Sequence, residues 1–293
     1  MAYSNGYIVI KKEDGEIKKY LKDLDRIIIE TEEVSITVVL INKIIEANIN
    51  MIFCNQKKNP SSYIIPIYGT NDSTKKILEQ INWNKKTSID MWTEIVKIKI
   101  ANQKDILMHF GIKSTFPVEI KNGDTTNIEA RYADYYFHKL FGKEFIRFRD
   151  DYVNSGLNYG YIVLLTEVTR VINKYGYLTQ LGIHHCNKNN NYNLSCDLIE
   201  VFRPAVDMVV KMNEKSLLDK QYKQELINVL NLQVQYKEKR YNLSYVIELF
   251  FLDFIRSMRE QKCYIEKVNL FGWKNIFVNV WCFYENSIWK EKV

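Results

Sequence analysis

A change of hydrophobic period near residue 74 divides this 293-residue chain into two structural classes. Before it, short β-branched runs (Tyr7 to Ile10, Arg26 to Glu30, Ser35 to Leu40, Met51 to Cys54 and Tyr63 to Tyr68) alternate with turn or charged segments such as Glu13-Asp14-Gly15. Such runs between turn formers predict strands, interrupted by one helix-like stretch, Ile41 to Ala47. After it, Ile77, Ile81 and Trp83, then Ile89, Trp92, Ile95, Val96 and Ile98, recur at helical spacing, and helical patterns continue nearly to residue 263. The expected fold is α+β: a small amino-terminal β domain over 1–73, a boundary region over 74–90, and a larger, mostly α-helical domain over 91–293. Within the boundary, Gly69-Thr70-Asn71-Asp72-Ser73 can supply a helix cap.

The sequence is 46% hydrophobic, enough to fill a real core, yet no apolar run approaches the roughly 18 residues that cross a bilayer. The segment from Met1 to Ile10 lacks the basic and apolar regions of a secretory signal, so a cytoplasmic protein is expected. Five irregularly spaced cysteines, Cys54, Cys186, Cys196, Cys263 and Cys282, argue against a disulfide framework and against a paired Cys-x-x-Cys zinc site. The net charge of +6 is unevenly spread: residues 1–90 hold 13 basic and 12 acidic side chains, residues 91–293 hold 28 and 23. A polyanion is therefore sought in the later part. The aromatic tail after Cys263, with Val268, Leu270, Phe271, Trp273, Ile276, Phe277, Val278, Val280, Trp281 and Phe283, has no single period and is expected to be packed or paired.

Three segments carry groups able to do chemistry. Asp124-Thr125-Thr126-Asn127-Ile128-Glu129 opens a helix with Glu129 in its first turn, although Thr126-x-x-Glu129 also matches a capping box. Leu181-Gly182-Ile183-His184-His185-Cys186, read as the end of an apolar helix before the Asn-rich segment 187–193, holds two of only four histidines. The third runs from Leu194 to Asp207. In one helix its Asp197, Glu200, Arg203 and Asp207 would share a stripe, which is ordinarily a solvated face, but Pro204 interrupts or kinks it. Two carboxylates and an imidazole form a coherent set for a divalent ion that keeps positions open for phosphate oxygen and water. Such an ion polarises phosphoryl oxygens and aligns attacking and leaving groups.

Glu129, then Gly182-Ile183-His184-His185, Asp197-Leu198-Ile199-Glu200, Phe202-Arg203-Pro204 and Asp207, in this order, resemble the CRISPR-associated integrase family, the catalytic subunit of the spacer-acquisition complex. Its pattern is a Glu opening a helix, Gly-x-x-His, then Asp-x-x-Glu followed by Arg-Pro and a later Asp. The register of Gly-x-x-His selects His185 over His184. Asn158-Tyr159-Gly160-Tyr161 and the helix through Thr166 and Arg170 look like the family's segment before that His. The short chain and the Leu181 to His185 segment look closest to members from type II systems.

The resemblance implies metal ligation by Glu129, His185 and Glu200 with Mg²⁺ or Mn²⁺, an accessory acidic role for Asp197, and integration of prespacer DNA into a CRISPR repeat by attack of a 3′-hydroxyl. It also implies a homodimer, with dimerisation through the β domain, bridged by the small second acquisition subunit, and further type II acquisition proteins as partners. DNA contacts are expected from Arg131, Arg147, Arg149, Arg170, Lys237, Lys239 and Arg240. An unrelated metal-dependent nuclease and a non-catalytic nucleic-acid scaffold are the alternatives.

Overall fold

A computed structural model describes residues 1–13, 15–24, 26–47, 49–56, 60–64, 72–213, 217–270 and 282–283. The chain forms two compact units, Met1–Ile67 with Phe277–Val293, and Tyr68–Ile276. Strands open the chain and helices follow, as the change of period predicts.

In the first unit, β1 (Ala2–Ser4), β2 (Tyr7–Lys12) and β3 (Gly15–Tyr20) make an antiparallel sheet. β4 (Arg26–Ile29) runs parallel to β5 (Asn50–Cys54), which pairs antiparallel with β6 (Pro60–Tyr63). The parallel pair requires a crossover, and α1 (Val38–Glu46) lies within it. Here the sequence reading needs correction. Ser35 to Leu40 is not a strand, because the Thr37 hydroxyl accepts from the Leu40 N–H and starts a helix through Val38 and Val39. β3 escapes the reading because Glu16, Lys18 and Lys19 leave only Ile17 as an apolar signal. Ile8 and Ile10 of β2, Ile27 and Ile29 of β4, Met51 of β5 and Leu40 and Ile44 of α1 share one core. The expected strand Tyr63 to Tyr68 falls outside the described residues from 65 onward, as does Asp14 of the expected turn.

The second unit is built from α2 (Ser73–Ile81), α3 (Lys85–His109), α4 (Ile128–Phe141), α5 (Tyr152–Lys174), α6 (Asn193–Ile199), α7 (Arg203–Met212), α8 (Lys220–Asn228) and α9 (Leu243–Glu260). Residues 74–90, expected as a boundary region, hold most of α2, the connection 82–84 and the start of α3, and Asp72 is the N-cap of α2 without a side-chain cap bond. Residues 69–71 of the expected cap lie outside the described residues. α3 packs against α4, α7 and α9, and α5 against α6, α7, α8 and α9. A Cβ on Gly160 would meet Val206 Cγ1 at 2.4 Å, so glycine lets α5 and α7 approach closely. A hairpin of β7 (Gln233–Tyr236) and β8 (Lys239–Asn242) interrupts the helical run. Its turn residues Lys237 and Glu238 both have positive φ, the geometry of a two-residue hairpin loop. Of the aromatic tail, Val268 and Leu270 are buried and Asn269 pairs with Gln235, whereas 271–281 lie outside the described residues. Residues Cys282 and Phe283 form a two-residue strand parallel to β4. No described helix is long and apolar enough to span a membrane.

Candidate active site

α4 begins at a left-handed Asn127 whose side chain does not cap it. Asp124 does this instead, its two carboxylate oxygens accepting from the N–H groups of Ile128 at 2.7 Å and Glu129 at 2.9 Å. The capping-box reading of Thr126 and Glu129 is thereby corrected. With the helix end already satisfied, the Glu129 carboxylate is available to pair with the ammonium of Lys99 on α3.

The third segment is not one helix. α6 ends at Ile199, α7 begins at Arg203, and Pro204 occupies the first turn of α7, where its missing N–H costs nothing. The expected solvated stripe is correspondingly absent: Asp197, Glu200 and Asp207 are all buried. Each has its own surroundings, because the break turns them apart. Glu200 meets Lys99 and forms an ion pair with Arg203 at 2.9 Å. Asp207 accepts from the Tyr161 hydroxyl, and burial lifts its carboxyl to about 6.

Asp197 anchors the histidine loop. Its carboxylate accepts from the N–H of Ile183 at 2.7 Å, His184 at 3.2 Å and His185 at 2.9 Å, and engages His185 Nδ1 at 2.7 Å. This loop lies well beyond the end of α5 at Lys174, not at a helix end as expected, and Asp197 supplies the order a helix would otherwise give. Gly182 is required by close approach, since a Cβ there would come within 2.6 Å of Asp197 Oδ2 and 2.5 Å of the His185 carbonyl oxygen. The Gln80 side chain holds the loop's other end, donating to the carbonyls of Leu178 and Leu181 and accepting from the Leu178 N–H.

The two histidines differ in environment. His184 stacks on Trp92 of α3, with ring centroids 4.0 Å apart and planes 4° from parallel, and burial lowers its pKa. His185 stands edge-on to both rings, and its hydrogen bond to Asp197 raises its pKa, with Glu200 adding to the effect. Between the carboxylates, burial works against the Lys99 charge, but Glu200 and Glu129 outweigh it and hold the ammonium above its ordinary value. Burial also opposes the charge on Glu200, and Arg203 with Lys99 outweighs it, keeping that carboxyl below its ordinary value. The centre therefore brings Glu129 and Glu200 onto one cation, with His185 within electrostatic reach of Glu200.

Among the described residues, no group of three or more His, Cys, Asp and Glu side chains is drawn up to hold an ion. Lys99 occupies the place between the two carboxylates. The donor set nonetheless fits a hard divalent cation in its chemistry. The seat already takes a positive charge, and Asp197 engages Nδ1, leaving Nε2 as the outward ligand atom, the arrangement typical of metal-binding imidazoles.

Lys99, Asp124, Trp92 and Gln80 were not singled out from sequence. For Lys99 a signal exists: Trp92, Ile95, Val96, Lys99, Gln103 and Ile106 recur at helical spacing, placing a lysine on an apolar stripe. Of the expected DNA-contacting residues, Arg131, Arg149, Lys237, Lys239 and Arg240 are exposed and Arg147 is half-buried. Arg170 pairs with Glu167 at 2.7 Å and Lys237 with Asp253 at 2.7 Å. These residues are spread over α4, the loop before α5, α5 and the β7–β8 hairpin.

Strands followed by a helical unit, with two carboxylates on a shared buried cation and an oriented imidazole near one of them, define an α+β protein with an enzyme-like polar centre. The family model described as "CRISPR associated protein Cas1" matches residues 1–135 and 124–239. The chain is 32% identical over 233 residues to a CRISPR-associated endonuclease Cas1 from Neisseria meningitidis serogroup C (strain 8013), covering 76% of this chain and 77% of that protein. It belongs to the Cas1 family. In fold it is similar to a casposase bound to an integration product, with TM-score 0.73, 22% identity, and 90% and 89% of the two chains covered. It also resembles a chain of a Cas6-RT-Cas1–Cas2 complex, with TM-score 0.63, 16% identity, and 90% and 34% covered.

Proposed function

We propose that this protein is a metal-dependent DNA endonuclease and integrase that inserts spacer DNA into a CRISPR repeat by attack of a DNA 3′-hydroxyl on a phosphodiester. The observation that carries this reading is the meeting of Glu129 and Glu200, 71 residues apart in sequence, on a single buried cation with His185 beside them. Its Cas1 relatives are named as endonucleases, and a casposase of the same fold was solved with an integration product.

Glu129, Glu200 and His185 would hold Mg²⁺ or Mn²⁺. Such an ion, when bound, neutralises charge on the phosphoryl group and favours loss of the hydroxyl proton. The protein's own part is positioning. Asp197 takes the Nδ1 side of His185 and fixes the direction of the ring, so Nε2 would be the nitrogen that binds the ion. Arg203 keeps Glu200 ionised in a buried site and offers a guanidinium to phosphate. Exchange of one phosphodiester for another needs no external energy source, so alignment of the two strands supplies much of the rate.

Partners follow from the same reading: DNA as prespacer and repeat, a second copy of this chain through the amino-terminal unit, and a small subunit of the Cas2 kind present in the solved complex. A type II setting, with its further acquisition proteins, fits the short chain and the Leu181 to His185 segment. The test is gel-resolved joining of a labelled prespacer to repeat DNA with the small subunit and Mn²⁺ or Mg²⁺. His185→Ala is expected to abolish joining while circular dichroism and DNA affinity are kept. Undiminished joining by the folded variant would overturn the mechanism, and cleavage without joining by the wild type would leave a nuclease.

A further inference from the structure

Phe148 is 85% exposed, the most exposed of the large apolar side chains among the described residues, and its backbone is left-handed at φ +76°, a conformation unfavourable for a bulky residue. Its placement is built. The buried Asn154 side chain accepts from the Phe148 N–H at 3.2 Å and donates to the Ile146 carbonyl at 3.0 Å, clamping the loop from both sides. The same Asn154 oxygen accepts from Arg147 at 2.9 Å, and Asn158 accepts from the other end of that guanidinium at 2.8 Å. Arg147 lies over the Phe148 ring at 4.7 Å and over the Tyr161 ring at 5.6 Å, while Arg203 covers Tyr161 at 4.6 Å and pairs with Glu200. A continuous ladder of guanidinium and aromatic planes thus runs from Glu200 to an exposed ring at the surface.

We propose that Phe148 is a stacking platform for a nucleobase of single-stranded DNA whose 3′ end is led to the Glu129 and Glu200 centre, with Arg147 and Arg203 meeting its phosphates. This rests on the DNA-joining reading above and adds a positioning residue to it. An aromatic face and alternating guanidinium groups match the alternation of base and phosphate along a strand, and a face-on ring accepts any base. The held backbone presents the ring without an ordering cost at binding.

The test is fluorescence anisotropy of the full chain with 3′-overhang duplexes carrying an abasic site at each overhang position in turn. In the wild type, one or two positions are expected to lose about fivefold to a hundredfold in affinity when the base is removed. Phe148→Ala should lose as much with the intact overhang and become indifferent to the abasic site at those positions. Phe148→Trp should restore the abasic penalty, with its emission quenched by an intact overhang but not by the abasic one. An abasic penalty equal in wild type and Phe148→Ala would overturn the proposal. So would a Phe148→Ala protein that binds DNA normally but no longer associates with a second copy in sedimentation. Because binding is read without joining, loss of the stacking effect and loss of the integrase mechanism are separate outcomes.

Discussion

Lys99 is the residue on which the centre turns. Buried between two carboxylates, it removes a repulsion that the protein interior would otherwise magnify. Lys99→Met should therefore destabilise the metal-free protein by about 1–3 kcal/mol, since Glu200 keeps Arg203 and Glu129 is only partly buried. If Glu129 and Glu200 are ligands, Mn²⁺ should recover more stability in Lys99→Met than in the wild type, where ion and ammonium compete. Thermal melts with and without Mn²⁺ measure this, and equal shifts in the two proteins would refute the competition. Asp207 makes a different, pH-dependent contribution. Its folded pKa of about 6 exceeds the ordinary 3.8, so the folded protein retains a proton that the unfolded chain releases first. Stability from this group is complete below pH 3.8 and falls as pH rises towards 6, by on the order of 3 kcal/mol. Asp207→Asn should remove that slope. Denaturant unfolding across this range, compared between the two proteins, is the check; a difference that does not vary with pH would count against it.

At the level of elements, the site depends on where helices stop. The break between α6 and α7 turns Glu200 towards Lys99 and leaves Asp197 under the histidine loop, so a continuous helix would have separated these roles. α7 is held against α5 at Gly160. In Gly160→Ala the new methyl meets Val206, a β-branched side chain with little rotamer freedom in a helix. A destabilisation of about 1–3 kcal/mol is expected, with greater loss of joining than of DNA binding, because α7 carries Arg203. Equilibrium unfolding beside the joining assay reads both; unchanged stability would show that α5 and α7 can part without strain.

Over the whole molecule, the proposed integrase reading asks a modest net charge of +6 to hold DNA. Lys239 and Arg240 are exposed on β8 and Lys237 is shared with Asp253 at the hairpin turn, so this cluster faces solvent. Replacing all three with alanine should weaken binding and reduce the slope of log affinity against log salt by up to about 3. Titrations at several salt concentrations would reveal it, and an unchanged slope would remove the hairpin from the DNA surface.

The sequence by itself determined the order of the two structural classes, because strand and helix periods depend only on which positions are apolar. Of the polar centre it named Glu129, Gly182, His185, Asp197 and Glu200, a pattern of types and spacings, but not Lys99 between the two glutamates. Local competition blurred it at Thr37, where a cap overrode a β-branched run, and at β3, where charges on an exposed face hid the alternation. What only the tertiary structure decided was the role of each group. Asp124, not Thr126 or Glu129, caps α4; Asp197 orients His185; a lysine 30 residues before Glu129 and 101 before Glu200 pairs with both. Those assignments arise from desolvation. A buried charge must find its partner wherever the packing of helices places one, and no local spacing records that.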